Sequence, residues 1–461
     1  MTQNILSLAL LALFLPMGFT LAAADSKDLI RRIEVLESEI ERLKTERSDV
    51  DRKQAILTEE VRKVRDSIVL PEKKALKGAF GMGPAASKVY GLDQGLSIGG
   101  YGQAWYQALV EDKQTTDSNS FDFKRLILYA GYKFNDWIVL NSEIEFEHAS
   151  TEDGGNGAGS VSVEFAQLDF FLRDAFNIRL GMLLMPVGFT NETHEPNFYH
   201  GNERPEVEIR IIPTTWRENG IGAFGQIGER LTYRAYAVTS MNGTRFDESG
   251  IRGGRQNGTR SLAEDISVVA RLDYQASPNS MIGGSVYTGN QGQEKRVTLD
   301  AAGNSVEPDV DMTLFEVHAQ YRKKGLELRA LGAMSTIENA AELSAAHIAT
   351  QVAAGAPLTG TEVVGERQKG FYLEAAYDFA PLLKMDADRY LALFHRFETL
   401  DTHHEAPFPF ARDRGRITRI HTSGITYKPD PQVVLKLDHR AFERAEGQRA
   451  DEINVGFGWV F

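Results

Sequence analysis

The side chains in this sequence that could do chemistry fall into three groups. His403, His404 and Glu405 are metal-ligand types, but they sit side by side without a further ligand at a fixed spacing, so they read as solvated loop residues. Gly154, Gly155, Gly157 and Gly159 are dense enough for a phosphate cradle, yet no apolar strand and helix flank them in a βαβ arrangement. The third group is the largest. Charged residues recur at every second position of apolar stretches, among them Arg125, Glu143, Glu145, Glu147, Asp169, Arg179, Arg234, Arg271, Glu316, Glu327, Arg329, Glu374 and Arg396. Facing columns of acid and base would create a transverse field, which orients polar solutes without breaking a bond. With no nucleophile elbow, HExxH pair or paired-cysteine motif present, no catalytic residue, metal ligand or cofactor is expected, and the chain is not read as an enzyme.

The elements that position these charges are strands with one oily and one wet side. Ile138, Leu140, Ser142, Ile144 and Phe146 alternate with Asn141, Glu143, Glu145 and Glu147, a period of two. The same pattern predicts strands at about 96–108, 121–134, 137–148, 161–172, 176–186, 220–227, 231–239, 265–274, 280–288, 311–323, 325–336, 369–379, 389–399, 415–428, 432–443 and 451–461. That is sixteen, an even number. Connections alternate between short turns and polar loops, the longest being 187–219 and 337–367. Short turns at one end and long loops at the other are the pattern of an outer-membrane β-barrel, and a two-sheet sandwich has no reason to sort its loops this way. Closure also removes the exposed edges that sixteen antiparallel strands would present.

Upstream of the barrel the period is different. Residues 5–15 are an apolar run followed by Ala22-Ala23-Ala24, which reads as a secretory signal over residues 1–24. Over 25–70 apolar residues step by four and three, with Ile33, Ile40 and Val61 at heptad position a and Leu36, Leu43 and Leu57 at d, predicting a parallel α-helical coiled coil. Pro71 closes the helix, and 71–90, rich in Lys and Gly, reads as a flexible linker ahead of a barrel spanning 91–461. The 461 residues carry 51 Lys and Arg against 64 Asp and Glu, a net charge of −13 that disfavours nucleic acid as a partner, so none is expected, and no cysteine.

Several stretches resemble the phosphate-selective porin O and P family of Gram-negative outer membranes. They are Leu96–Tyr101 (LSIGGY), Arg179–Gly188 (RLGMLLMPVG), Tyr427–Asp438 (YKPDPQVVLKLD) and the aromatic ending at Phe461. The resemblance implies an all-β, 16-stranded antiparallel transmembrane barrel, a homo-trimer, whose third long loop folds inward and narrows the pore. In this chain that loop is 187–219, which places Glu192, His194, Glu195, Arg204, Arg210 and Arg217 at the constriction. Arg125, Glu143, Glu145, Arg179, Arg234, Arg271, Glu316, Arg329, Glu374 and Arg396 would line the wall. The loop holds six glutamates (192, 195, 203, 206, 208 and 218) against Arg204, Arg210 and Arg217, a balance of −3 that lacks the lysine cluster expected of a phosphate eyelet.

The function expected is passive diffusion of small hydrophilic solutes and ions, phosphate or other anions among them by resemblance, through a barrel held in outer-membrane lipid with its coiled coil in the periplasm. The alternative is a structural anchor. About 45 helical residues make a rod of roughly 65 Å, long enough to approach peptidoglycan.

Overall fold

The computed structural model describes residues 26–68, 76–111, 117–149, 159–298, 303–447 and 449–461. The expected signal segment 1–24, residues 71–75 of the expected linker, and Gly154, Gly155 and Gly157 lie outside them. The chain divides into two units, residues 1–70 and 71–461, and each is described by itself.

In the first unit, α1 (Ser26–Ile68) is one continuous helix. Its surface is laced by pairs three residues apart, Glu39 with Arg42, Glu41 with Lys44 and Glu60 with Lys63, each of small worth on an exposed face. Its apolar seam is uncovered within the chain: Leu36, Ile40, Leu43, Val50, Leu57 and Val61 are all at least half exposed.

In the second unit, sixteen strands close into an antiparallel barrel. They are β1 (Gly95–Leu109), β2 (Ser120–Asn135), β3 (Ile138–Glu147), β4 (Val161–Arg173), β5 (Phe176–Leu184), β6 (Arg217–Ile227), β7 (Leu231–Thr239), β8 (Ile266–Ser277), β9 (Ser280–Asn290), β12 (Asp311–Lys323), β13 (Leu326–Ile337), β14 (Arg367–Asp378), β15 (Tyr390–Glu405), β16 (Ile417–Asp430), β17 (Val433–Arg444) and β18 (Glu452–Val460). A two-strand hairpin, β10 (Val297–Thr298) with β11 (Ser305–Val306), stands in the loop between β9 and β12. The seam is shut by β1 on β18, with Tyr101 opposite Val460 and Leu109 opposite Glu452. Every barrel strand therefore finds two neighbours for its backbone groups, as a lipid environment demands.

The alternation read from the sequence sets the two faces. Phe315, Val317, Phe371, Leu373, Val455 and Phe457 point outward and are 40–66% exposed, while the intervening Glu316, Tyr372, Glu374 and Asn454 are buried in the lumen. Near the turn end the outer face carries Phe134, Trp137, Phe176 and Tyr274, aromatic residues of the kind that settle at a membrane interface. The β12–β13 hairpin turns on Lys324 and Gly325 with φ of 51° and 85°, a geometry that favours glycine at the second position.

Two connections differ from expectation. The loop between β13 and β14, expected as a long polar connection, contains a helix, α2 (Ala340–Ala353). Leu343 of that helix joins Met241, Phe246, Ile251 and Val310 from neighbouring loops in one apolar cluster, which holds the loop end together. Residues 76–90, expected to be a flexible linker, are instead packed inside the barrel. Met82, Ala85, Ala86 and Val89 are at most 3% exposed, and the first three lie against Tyr101, Ile127, Tyr129 and Phe165. The small residues of this stretch serve close approach and not mobility: a Cβ on Gly83 would stand 2.5 Å from Glu195 Oε1.

Candidate functional site

The segment joining β5 to β6, residues 185–216, runs through the lumen and builds the site. Its apolar residues Val187, Val207, Ile211 and Trp216 pack on Tyr236, Val269, Tyr287 and Tyr372 of the wall, which drives the segment inward at the loop end. It then travels the full depth of the barrel. At the turn end Asn197 donates to the Pro431 carbonyl at 2.8 Å, and Lys428 donates to the Asn197 carbonyl at 2.7 Å. In between, Asn202 donates its backbone N–H to Asp438 at 2.8 Å, and Arg396 donates to the His200 and Glu203 carbonyls. Glycines on β18 make room: a Cβ on Gly458 would lie 2.7 Å from Pro196, and one on Gly456 would strike Asn202.

The residues expected at the constriction lie on this segment or at its end, but they do not converge on one point. Glu192 lies 3.5 Å from Arg234, and Glu195 accepts the Ala85 N–H at 2.9 Å. His194 Nε2 faces Glu143 at 3.1 Å. Arg204 donates to Thr214 and Thr215, while Arg217 donates to the Thr215 carbonyl and lies 3.5 Å from Glu164. Arg210 lies apart from these, paired with Glu206 at 3.2 Å.

The expected wall residues project into the lumen, and their charges are arranged locally. Acid and base do not form opposed columns. They pair locally, between adjacent strands in Arg125 with Glu145, Arg179 with Asp169 at 2.7 Å, Arg234 with Asp273 and Arg396 with Glu374 at 3.1 Å, and along a single strand in Arg271 with Asp273 and Arg396 with Glu398 at 2.8 Å. Glu316 accepts from His318 and Ser285. Arg329 donates to the Phe198 carbonyl and covers the Phe189 ring.

Sequence reasoning missed Glu164, and it set His318 on the wet face of its strand without singling it out as a site residue. Strict alternation registers Phe165, Gln167 and Asp169 as inward on β4 and turns Glu164 outward. A bulge in the β3–β4 pairing, between Glu143 and Ile144, points Glu164 and Phe165 both inward. For His318 the alternation was present, and its neighbour Glu316 was singled out on the same face.

Burial shapes the ionisation of the inner segment. It raises Glu195 to about 7 against the pull of the Ala85 N–H, and it lowers His200, stacked on Phe394, to about 4. His194 is likewise lowered to about 4 by burial and by the Arg204 charge. Glu206 goes the other way: burial alone would raise it, but Arg440, Arg449 and Arg210 hold it at about 2 against an ordinary 4.5. A carboxyl depressed on folding contributes stability above its unfolded value and loses it as pH falls through the folded one. Thermal stability should therefore fall between about pH 4.5 and 2, and Glu206→Gln should remove that part of the slope in a melting series across this range.

A closed sixteen-stranded antiparallel barrel with an oily exterior, a charged lumen and an inward-folded loop defines a transmembrane β-barrel of porin architecture. The chain belongs to the same family as an uncharacterized protein of Aquifex aeolicus, to which it is 36% identical over 406 residues, 87% of each chain. No family model matches it. Among solved structures it is similar to Salmonella typhi OmpF in complex with daunomycin, with a TM-score of 0.50 and 14% identity over 80% of this chain and 98% of that one. It is also similar to an anion-selective porin from Comamonas acidovorans, with a TM-score of 0.48 and 11% identity over 80% and 100% of the two chains.

Proposed function

We propose that the protein is a passive diffusion channel of the outer membrane for small hydrophilic solutes, with a preference for anions, phosphate included. The carrying observation is a cavity of about 320 Å³ at the turn end, between the inner segment, residues 78–82 and the wall. Arg234, Arg271, Arg322 and Arg329 line it against Glu192 and Asp273, a net of +2. A smaller cavity toward the loop end sets Arg210, Arg416, Arg444 and Arg449 against Glu206. The acidic balance of the inner loop does not carry into these spaces. Glu195 is bound by a backbone amide, and Glu208 is bound by Thr190 and Tyr372. Fixed positive charge at a narrow passage favours anions.

Planar-bilayer recording of the purified protein tests this. Discrete conductance steps and a reversal potential of anionic sign in a salt gradient are expected; absence of steps overturns the channel, and a cationic sign overturns the preference. Assembly through the uncovered seam of α1, as a homo-trimer with the helix in the periplasm, belongs to the same reading. Light scattering of the whole chain in detergent checks it, a monomer mass refuting it.

A further inference from the structure

Three side chains from distant parts of the chain meet on the β3–β4 side of the lumen. Glu143 of β3, Glu164 at the bulge of β4 and His194 of the inner segment present ligand atoms within 4.8 Å of one another, and all three are buried. The imidazole is oriented by its other nitrogen. His194 Nδ1 lies 2.9 Å from the Asn191 carbonyl, which can only accept, so the hydrogen-bond network assigns the proton to Nδ1. Nε2 then turns its lone pair toward Glu143 Oε1 at 3.1 Å and Glu164 Oε2 at 3.6 Å. Three electron-rich atoms thus converge with no donor between them.

Glu143 Oε2 and Glu164 Oε2 are buried without a hydrogen-bond partner. Tyr101, fully buried with its ring 6.0 Å from that of His194, leaves its hydroxyl unpartnered as well, so this donor does not satisfy them. Arg217 approaches the far oxygen of Glu164, at 3.5 Å, and Arg125 faces Glu145. Neither guanidinium is paired to the oxygens that face Nε2. A carbonyl-anchored imidazole with two carboxylates is a donor set for a borderline first-row cation, and hydrogen bonding of the free ring N–H to a carbonyl is the usual support of a metal-bound histidine. Ligand atoms of a tetrahedral Zn²⁺ site stand about 3.3 Å apart, so the side chains need to draw in by about 1.5 Å at most.

We propose that Glu143, Glu164 and His194 bind a divalent cation of the Zn²⁺ type and thereby tie the inner segment to the barrel wall. This goes beyond the channel reading and does not depend on it. The experiment uses the whole folded protein in detergent, stripped with chelator, dialysed against Zn²⁺ and then against metal-free buffer, with the metal measured by mass spectrometry. One Zn²⁺ per chain is expected in the wild type and at least a tenfold loss in Glu164→Gln, a variant that preserves side-chain volume. His194→Ala is expected to behave alike, with heat-modifiable gel migration showing that each barrel is closed. Co²⁺ in place of Zn²⁺ should give visible d–d bands in the wild type alone, and Zn²⁺ should raise the melting temperature of the wild type alone. No stoichiometric uptake by the wild type, or equal uptake by a folded Glu164→Gln, overturns the proposal; the carboxylates then share a proton. Uptake of Ca²⁺ or Mg²⁺ in place of Zn²⁺ overturns the class of ion assigned.

Discussion

Replacing Arg322 and Arg329 together by glutamine is expected to lower anion permeability about tenfold and, since cation permeability rises at the same time, to lower the anion-to-cation ratio by up to about a hundredfold. The two substitutions bring the lining of the turn-end cavity from a net of +2 to neutral and remove the Arg322–Glu327 pair, while leaving the Arg234–Asp273 and Arg271–Asp273 pairs in place. A unit charge about 6 Å from a passing ion in a water-like dielectric is worth about 0.7 kcal/mol, roughly threefold in permeability, and the two act in the same direction. The effect should grow as ionic strength falls, because screening weakens. Bi-ionic and gradient reversal potentials read it directly, and an unchanged potential would place this cavity off the permeation path.

Removing Arg396 should cost about 3–5 kcal/mol of barrel stability, the usual penalty for breaking a buried ion pair from one side. Its guanidinium is 0% exposed and donates to Glu374, Glu398 and two carbonyls of the inner segment. Arg396→Met leaves two carboxylates in the lumen without this cation and removes two of the bonds that hold the middle of the segment, those from Asn202 to Asp438 remaining. Arg396→Lys should recover only part of the loss, since one ammonium cannot reproduce the planar fork. Urea titration in detergent measures it, and a midpoint equal to wild type would mean that lumen water solvates Glu374 and Glu398.

The barrel was legible because its signal is repeated sixteen times and closure leaves few alternatives. Residues such as Phe371 and Glu374 declare their faces by parity alone, and the Lys324-Gly325 turn marks its own corner. The inner segment was legible as a long loop between two well-marked strands; its path was not, since contacts such as Asn197 to Pro431 join residues more than two hundred positions apart. Parity also failed wherever the ladder slips. Glu164 faces inward only because one extra residue is inserted opposite Glu143, and no local pattern announces that insertion. Residues 76–90 misled for a different reason. Glycine and alanine serve a flexible tether and a tight internal packing equally well, and the choice depends on Glu195 and Tyr101, which approach from elsewhere.

A strut fastened at both rims cannot swing like a door. The inner segment is bolted to the wall by Tyr372 and Arg440 near one mouth and by Lys428 and the Pro431 carbonyl at the other, with Asp438 and Arg396 holding its waist. Any flicker between more and less open conditions has to originate in the outer loops or in single side chains that rotate, because bending this brace means breaking fastenings along its whole length.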